Sequence, residues 1–296
     1  MNRFLKAFGL LSIITLFAAC KKDDGPNTVP PRDYAVQYAT EKVDIENYLK
    51  THYMVVDPVT LDAVFFAIPE GGTQTSIWDQ TEYPLRNKIV NSNSVDYTVY
   101  YLVFNEGVGE AATRADNVLV AYSGTLFSGV QFDSQPYPQS LSPLYNSIEG
   151  WQEIIPLFKT GIYVDVDPSN PATFEGYGAG AMFLPSGLAY YNSSPSSAVS
   201  AYDSMIFTFK MYQLQYTDVD GDGILNKFET ADGIDLNDYD TDGDDLPNYL
   251  DTDDDGDGHF TKNEIEDPET GDSYDFDEIP TCTGGTLKKH LDPACF

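Results

Sequence analysis

Two sets of residues in this 296-residue sequence have the types and the spacing to do chemistry. The first set is acidic. Asp218, Asp220 and Asp222 occupy alternate positions, Gly223 follows, and Glu229 closes the stretch. Such spacing turns the carboxylates of a tight loop toward one point. Glycine permits the sharp turn, the carbonyl of Ile224 adds an oxygen, and the closing Glu can bind through both of its own. The pattern returns with Asp253, Asp255 and Asp257, the carbonyl of His259, and Glu264 as the closing acid. Between them Asp240, Asp242, Asp244 and Asp251 make an incomplete copy, with Asp245 where glycine is expected and Asp in place of the closing Glu. Hard oxygen ligands select calcium over transition metals, so the expected ion is a structural calcium. The alternative is a solvated acidic spacer, but solvation alone explains the fixed placement of Gly and acid poorly.

The loop Asp218–Glu229 resembles the EF-hand calcium loop. The joined string from Asp240 to Gly258 resembles thrombospondin type 3 repeats, in which calcium holds a chain with little core of its own.

The second set is aromatic. Val118-Leu119-Val120-Ala121-Tyr122-Ser123-Gly124 is followed by Gly129-Val130-Gln131-Phe132-Asp133-Ser134, then Ile148-Glu149-Gly150-Trp151, then Leu184-Pro185-Ser186-Gly187-Leu188-Ala189-Tyr190, and finally Met205-Ile206-Phe207. With 17 Phe and 21 Tyr in the chain, any one of these rings taken singly is more simply a core residue. Taken in order, the blocks resemble the FKBP-type peptidyl-prolyl cis-trans isomerases. The resemblance implies a proline pocket built from Tyr122, Phe132, Asp133, Ile148, Trp151, Tyr190 and Phe207. Val199 would stand in for an Ile, and Leu141 is the nearest candidate for a pocket aromatic without a clear match. It implies further that Trp151 floors the proline ring, that the Ile148 N–H binds the substrate carbonyl, and that Asp133 bonds to Tyr122. No catalytic cofactor is implied. The sequence departs from the family between Tyr191 and Ala201, where glycines and a proline pair are missing. An insertion rich in Asp, Pro and Gly is expected from Ile162 to Ala181.

The elements that must position these residues are legible in part. Tyr34 to about His52 reads as a helix, with Val36, Val43, Ile45 and Leu49 near helical spacing. Val64–Ile68, Tyr97–Phe104 and Val118–Tyr122 read as strands, the last broken by Ser123-Gly124, and Met205–Leu214 as a closing strand. Gly150–Lys159 reads as a single helix of the middle region, stopped by Gly161. The fold class expected is α+β: an FKBP-like antiparallel sheet wrapped around a short helix, followed by a calcium-binding module rich in loops.

Charge and targeting narrow the setting. A net charge of −31, from 47 acidic against 16 basic residues, argues against nucleic-acid partners, which need Lys/Arg surfaces. Arg3 and Lys6 precede an apolar run, Ala7–Ala19, too short for the roughly 20 residues that span a bilayer. Leu16-Phe17-Ala18-Ala19-Cys20 resembles the bacterial lipobox, with lipid on Cys20, although an ordinary signal peptide with an incidental Cys would begin the same way. Lys21-Lys22-Asp23-Asp24 resembles the surface-export signal of Bacteroidetes lipoproteins. If Cys20 carries lipid, two of the three cysteines remain, Cys282 and Cys295, and they can close a terminal disulfide.

The expected order is a signal peptide (1–19), a lipid-anchored linker (20–33), an extension packing on the core (34–94), an isomerase domain (95–216), acidic calcium repeats (217–266) and a disulfide-bearing tail (267–296). The expected function is prolyl isomerisation of exported polypeptides at the cell envelope, from an outer-membrane lipoprotein that meets the membrane only through its lipid. The alternatives are a non-catalytic grip on proline segments, or a calcium-stiffened surface protein.

Overall fold

The computed structural model describes residues 30–164, 173–231 and 234–295. The expected signal peptide, Cys20, most of the linker and the middle of the expected insertion lie outside these residues.

Helix α1 (Tyr34–Thr51) starts where the Asp33 side chain accepts the Val36 N–H at 3.0 Å, which satisfies one of the donors a helix N-terminus leaves open. Its inward face carries Tyr38, Ile45, Tyr48 and Leu49, together with the polar Gln37 and Glu41. Val36 and Val43, expected on that face, are 70% and 57% exposed. The stripe follows the helical period, but it accepts polar residues that find partners inside.

The chain then forms a hairpin from β1 (His52–Val56) and β2 (Ala63–Ala67). Next come β3 (Arg86–Ser92), β4 (Val95–Asn105), β5 (Asn117–Leu126), β6 (Gln131–Gln135), β7 (Ser142–Pro143), α2 (Glu149–Ile154), β8 (Ile162–Val164), β9 (Thr173–Glu175), β10 (Gly178–Leu184) and β11 (Met205–Gln215). A seven-stranded antiparallel sheet runs β3-β4-β10-β11-β5-β6, with β7 also on β5. The β3–β4 hairpin crosses the boundary expected at residue 95, so the preceding segment supplies an edge strand of the sheet as well as packing on it. Strand β5 is not broken at Ser123-Gly124: both residues stay paired with β11 and β6.

Both faces of the sheet are covered. Alternation along β10 sends Met182 and Leu184 to one face, with Val99, Val120, Ile154 and Phe158, and Ala181 and Phe183 to the other, with Ile45, Leu49 and Leu102. Helix α2 lies on the first face and α1 on the second. This is why all seven residues of β10 are buried. The expected insertion is correspondingly shorter, since its last residues, from Gly178, belong to this central strand.

The helix expected over Gly150–Lys159 ends early. Pro156 has no N–H and cannot continue the ladder, so α2 stops at Ile154 and a 3-10 turn, Ile155–Leu157, replaces it. The apolar positions survive the change: Ile154, Ile155 and Phe158 are fully buried.

Beyond β11 the chain carries little regular structure apart from short turns and α3 (Thr261–Glu264). Two small apolar clusters hold it: Ala115, Leu236 and Tyr249 against the sheet domain, and Ile224, Ile265 and Ile279 within the segment itself. Cys282 and Cys295 are joined as a disulfide. No helix among the described residues is long and apolar enough to cross a membrane.

Candidate functional site

The aromatic residues singled out in the sequence meet on the α2 side of the sheet. Gly124 of β5 is flanked by Phe207 of β11 and Asp133 of β6. A Cβ at Gly124 would stand 2.7 Å from the Phe132 ring and 2.8 Å from that of Phe207, so only glycine lets the two rings close over the strand. Trp151, one turn into α2, meets Tyr122 edge-on at 5.0 Å and Phe207 at 5.4 Å between ring centroids, with interplanar angles of 87° and 88°. Phe132 meets Phe207 in the same way at 5.6 Å. Edge-to-face contacts of this kind contribute about 0.5–1.5 kcal/mol each beyond the area they bury. Ile148 caps α2 with extended backbone and packs with Tyr190 and Val199 into the same cluster. Leu141 does not join them. It is half-buried just before β7, which pairs with Asn117 and Val118 at the far end of β5.

One polar pair sits at the rim. The Tyr122 hydroxyl donates to Asp133 Oδ2 at 2.8 Å. Burial, then the hydrogen bond to Asp133 and its charge, push the Tyr122 phenol up to about 12; burial and Asp133 raise Tyr190 as well. Both phenols therefore keep their protons at neutral pH and serve as donors. Of the side chains in this cluster none is a nucleophile with a base beside it, so the arrangement suits binding and shaping of an apolar group rather than covalent chemistry.

The loop after Tyr190, where the sequence departs from the FKBP pattern, is tied to the start of the described chain. Tyr191 stacks on Tyr34 at 3.9 Å and meets Tyr202 edge-on at 5.0 Å. The Arg32 guanidinium lies 4.4 Å over the Tyr202 ring, and the Arg32 N–H donates to the Tyr202 hydroxyl at 3.0 Å. On the other side of Tyr190, Ser186 is held by Glu41 of α1, which accepts its backbone N–H at 3.0 Å and its hydroxyl as well. Local sequence gave no signal for Glu41 or Tyr34 as supports of this loop, because their partners Ser186 and Tyr191 are remote along the chain, whereas Gly124 belongs to one of the blocks that carry the resemblance.

A separate cleft of about 1260 Å³ opens over Leu119, Ala121, Thr208 and Lys210, on the face of the sheet that Ala181 shares. Tyr122 and Phe209 border it, but Trp151 and Phe207 do not.

The three acidic loops fold alike. In each, the N–H of the sixth residue donates to the first carboxylate: Gly223 to Asp218 at 3.1 Å, Asp245 to Asp240 at 3.0 Å, Gly258 to Asp253 at 3.0 Å. The seventh N–H donates to the fifth carboxylate: Ile224 to Asp222 at 2.7 Å, Leu246 to Asp244 at 2.8 Å, His259 to Asp257 at 2.7 Å. The sixth position takes a positive φ each time, +104°, +75° and +92°. Asp245 is thus forced into a glycine conformation. Oxygens of Asp218, Asp220 and Asp222 come within 4.8 Å of one another, as do those of Asp240, Asp242 and Asp244, and of Asp253, Asp255 and Asp257. Asp251 does not join the second group; its Oδ1 accepts the Asp253 N–H at 3.0 Å.

Burial first, and mutual repulsion second, push Glu229 up to about 10, with Asp220, Asp222 and Asp254 contributing most of the repulsion, and Glu264 up to about 8, with Asp255 and Asp257 contributing most. Burial and Asp222 likewise raise Asp220 to about 8. Carboxylates gathered this closely at neutral pH call for a cation, and an all-oxygen donor set suits a hard divalent one.

Comparison with known proteins adds two findings. A family described as BamM C-terminal matches residues 213–289. The probable FKBP-type peptidyl-prolyl cis-trans isomerase FkpA of Neisseria meningitidis serogroup B is 29% identical over 117 residues, which is 38% of this chain and 37% of that protein. The FKBP-type 22 kDa peptidyl-prolyl cis-trans isomerase of Escherichia coli is 31% identical over 96 residues, 31% of this chain and 46% of that protein. A solved peptidyl-prolyl cis-trans isomerase from Pseudomonas syringae aligns with a TM-score of 0.34 at 19% identity, over 44% of this chain and 80% of that one. The chain thus spans less than half the length of the curated relatives it matches, and over about a third of its own length it is similar to FKBP-type peptidyl-prolyl cis-trans isomerases.

Proposed function

We propose that the chain is a peptidyl-prolyl cis-trans isomerase that assists the folding of exported polypeptides at the cell envelope. Its isomerase region spans about 95–216 and its calcium repeats 217–266. The observation that carries this reading is the ring cluster of Trp151, Tyr122, Phe207 and Phe132, closed at its rim by the Tyr122–Asp133 hydrogen bond of 2.8 Å. Similarity to FKBP-type isomerases over about a third of the chain supports it.

The mechanism follows from the bond to be turned. Rotation about an X-Pro amide faces about 18–20 kcal/mol because the C–N bond has double-bond character. At the twisted transition state resonance is lost and the carbonyl becomes less polar. A dry, ring-walled pocket binds the twisted form better than the planar one, and that difference in binding is the catalysis. Trp151 floors the proline ring, Phe132, Tyr190 and Phe207 wall it, and the Tyr122–Asp133 pair orients the amide. Uncatalysed isomerisation takes tens to hundreds of seconds and limits folding where it occurs, so a catalyst has use wherever exported chains fold.

Within the same reading Cys20 carries the lipid anchor, and the protein works as a peripheral lipoprotein of the outer membrane. The match to the BamM C-terminal family supports an outer-membrane assembly context. The acidic loops hold structural calcium through the carboxylates of Asp218, Asp220, Asp222 and Glu229 and of Asp253, Asp255, Asp257 and Glu264. Calcium supplies the charge these groups lack and stiffens a segment whose apolar clusters are small.

The test is the cis-to-trans rate of short X-Pro peptides with and without the protein. Acceleration that disappears in Trp151→Ala supports the enzyme. A folded, calcium-loaded protein that accelerates none of several X-Pro peptides, yet binds them, is instead a proline-segment binder. The tying of the Tyr191–Tyr202 loop to Arg32 and Tyr34 would then be the feature that sets its rigid grip.

A further inference from the structure

We propose that Asp254 is a calcium ligand of the first acidic loop, so that one ion held by Asp222, Glu229 and Asp254 ties the first and third loops together. The inference rests on the calcium reading above and adds a ligand and a connection to it.

Asp254 is the second residue of the third loop, the place held by Val219 in the first and Thr241 in the second. At this position the backbone does the same thing three times. Val219 N–H donates to Asn226 at 3.1 Å, Thr241 N–H to Asn248 at 2.9 Å, and Asp254 N–H to Thr261 at 3.1 Å. The main chain of Asp254 therefore belongs to its own loop, while its side chain leaves it. One oxygen each from Asp222, Glu229 and Asp254 lie within 4.8 Å of one another. Calcium takes its oxygens at about 2.3–2.6 Å, so ligands on opposite sides of one ion stand about 5 Å apart, and the three fit a single ion.

A second observation points to the ligand independently. The three residues are only 1%, 2% and 2% exposed. Asp222 Oδ2, both Glu229 oxygens and both Asp254 oxygens accept no hydrogen bond of ordinary geometry among the described residues. None of the ion pairs among those residues reaches them either. The Asn248 amide is the one side-chain donor that bears on Asp254, and it lies outside ordinary hydrogen-bond geometry. Buried carboxylates with so little donor support and no counter-charge are costly, and a metal resolves the cost. The consequence is structural. Loaded, the ion closes the chain between the first and third loops into a ring, so removing it opens the segment rather than emptying one loop.

The test is calcium titration of the full chain by calorimetry, with bound calcium counted by elemental analysis, for wild type, Asp254→Asn, Glu229→Gln, the double variant, and Asp238→Asn as an exposed acid outside the loops. Asp254→Asn and Glu229→Gln should each lose an ion or bind it about tenfold or more weakly, since affinity follows ligand charge. The double variant should lose no more than either alone, because the ion is the same. Melting supplies a readout that a merely structural Asp254 would not give. In chelator Asp254→Asn should melt above wild type, one repelling charge being gone; in calcium it should melt below. Titration of Asp254→Asn like Asp238→Asn, or melting below wild type in both conditions, overturns the bridge while leaving calcium binding intact. A wild-type chain that binds no calcium overturns the bridge and the calcium reading together.

Discussion

Arg114 and Glu153 form a buried ion pair, Nη2 to Oε1 at 2.9 Å, in which each side chain is no more than 10% exposed. Glu153 stands on α2, two residues beyond Trp151, and Lys88 of β3 reaches it from the other side at 2.7 Å. The second nitrogen of Arg114 contacts Asp235, at 3.2 Å, beyond the sheet domain. One guanidinium thus links the helix that floors the aromatic cluster to the acidic segment.

Removal of this arginine should be felt in the fold. Arg114→Ala leaves Glu153 buried with Lys88 alone, and breaking a buried pair on one side costs about 3–5 kcal/mol; the remaining lysine puts the expected loss near the low end. Thermal melting checks it. An unchanged melting temperature would mean that Lys88 and solvent satisfy Glu153 without help.

Gly124 tests the pocket without deleting any of its rings. Gly124→Ala should keep the sheet, because β5 is extended there, but it drives a methyl into Phe132 and Phe207. Peptide isomerisation should fall about tenfold or more, the equivalent of about 1.4 kcal/mol, with little change in circular dichroism. Wild-type rates in this variant would remove the ring pair from the site.

Glu41 predicts a pH dependence. Burial raises its carboxyl above the ordinary 4.5, against the lowering effect of the Ser186 and Gln37 hydrogen bonds and with a small push from Asp44. A folded-state value above the unfolded one gives stability that is complete below pH 4.5 and is lost as pH rises through the raised value. Glu41→Gln, which keeps the shape and drops the charge, should therefore match wild type near pH 4 and melt above it at pH 8. Equal melting at both pH values would show that Ser186 and Gln37 offset the burial.

His290 predicts the opposite slope. It is 2% exposed, and burial, helped by Lys288, holds its imidazole down to about 4. A lowered value gives stability that is present above pH 6.5 and lost as pH falls toward 4, worth up to about 3 kcal/mol at about 1.4 kcal/mol per unit. Hydrogen exchange of the tail should quicken across this window in wild type and lose that step in His290→Gln.

Asp245 is strained where its two counterparts are glycine, with φ at +75°. Asp245→Gly should raise the melting temperature, by a gain of about 0.5–1 kcal/mol, since a side chain in the left-handed region is penalised and Gly is not. A fall instead would assign the Asp245 carboxylate a role of its own.

The sequence by itself determined the local matters. Alternating acids and glycines dictated three loops, because each loop is closed by hydrogen bonds between residues a few places apart, and even the incomplete copy at Asp240 folds like the others. Strand-forming residue types mark β4 and the first half of β5, alternation marks β11, and the ordered aromatic blocks name seven residues that meet or adjoin around Trp151. The inward face of α1 departs from its period: Val36 and Val43 fit the spacing yet are exposed, while Glu41 is buried for a partner in a distant loop. The place of Leu141 between motifs points to the pocket, yet pairing of β7 with the far end of β5 keeps it away. Only the tertiary structure decided which loops share a cluster of carboxylates, which glycine lets two rings close, and which arginine joins α2 to the acidic segment. Those contacts span long stretches of chain, and a pattern read along the sequence carries no information on which remote groups burial will bring together.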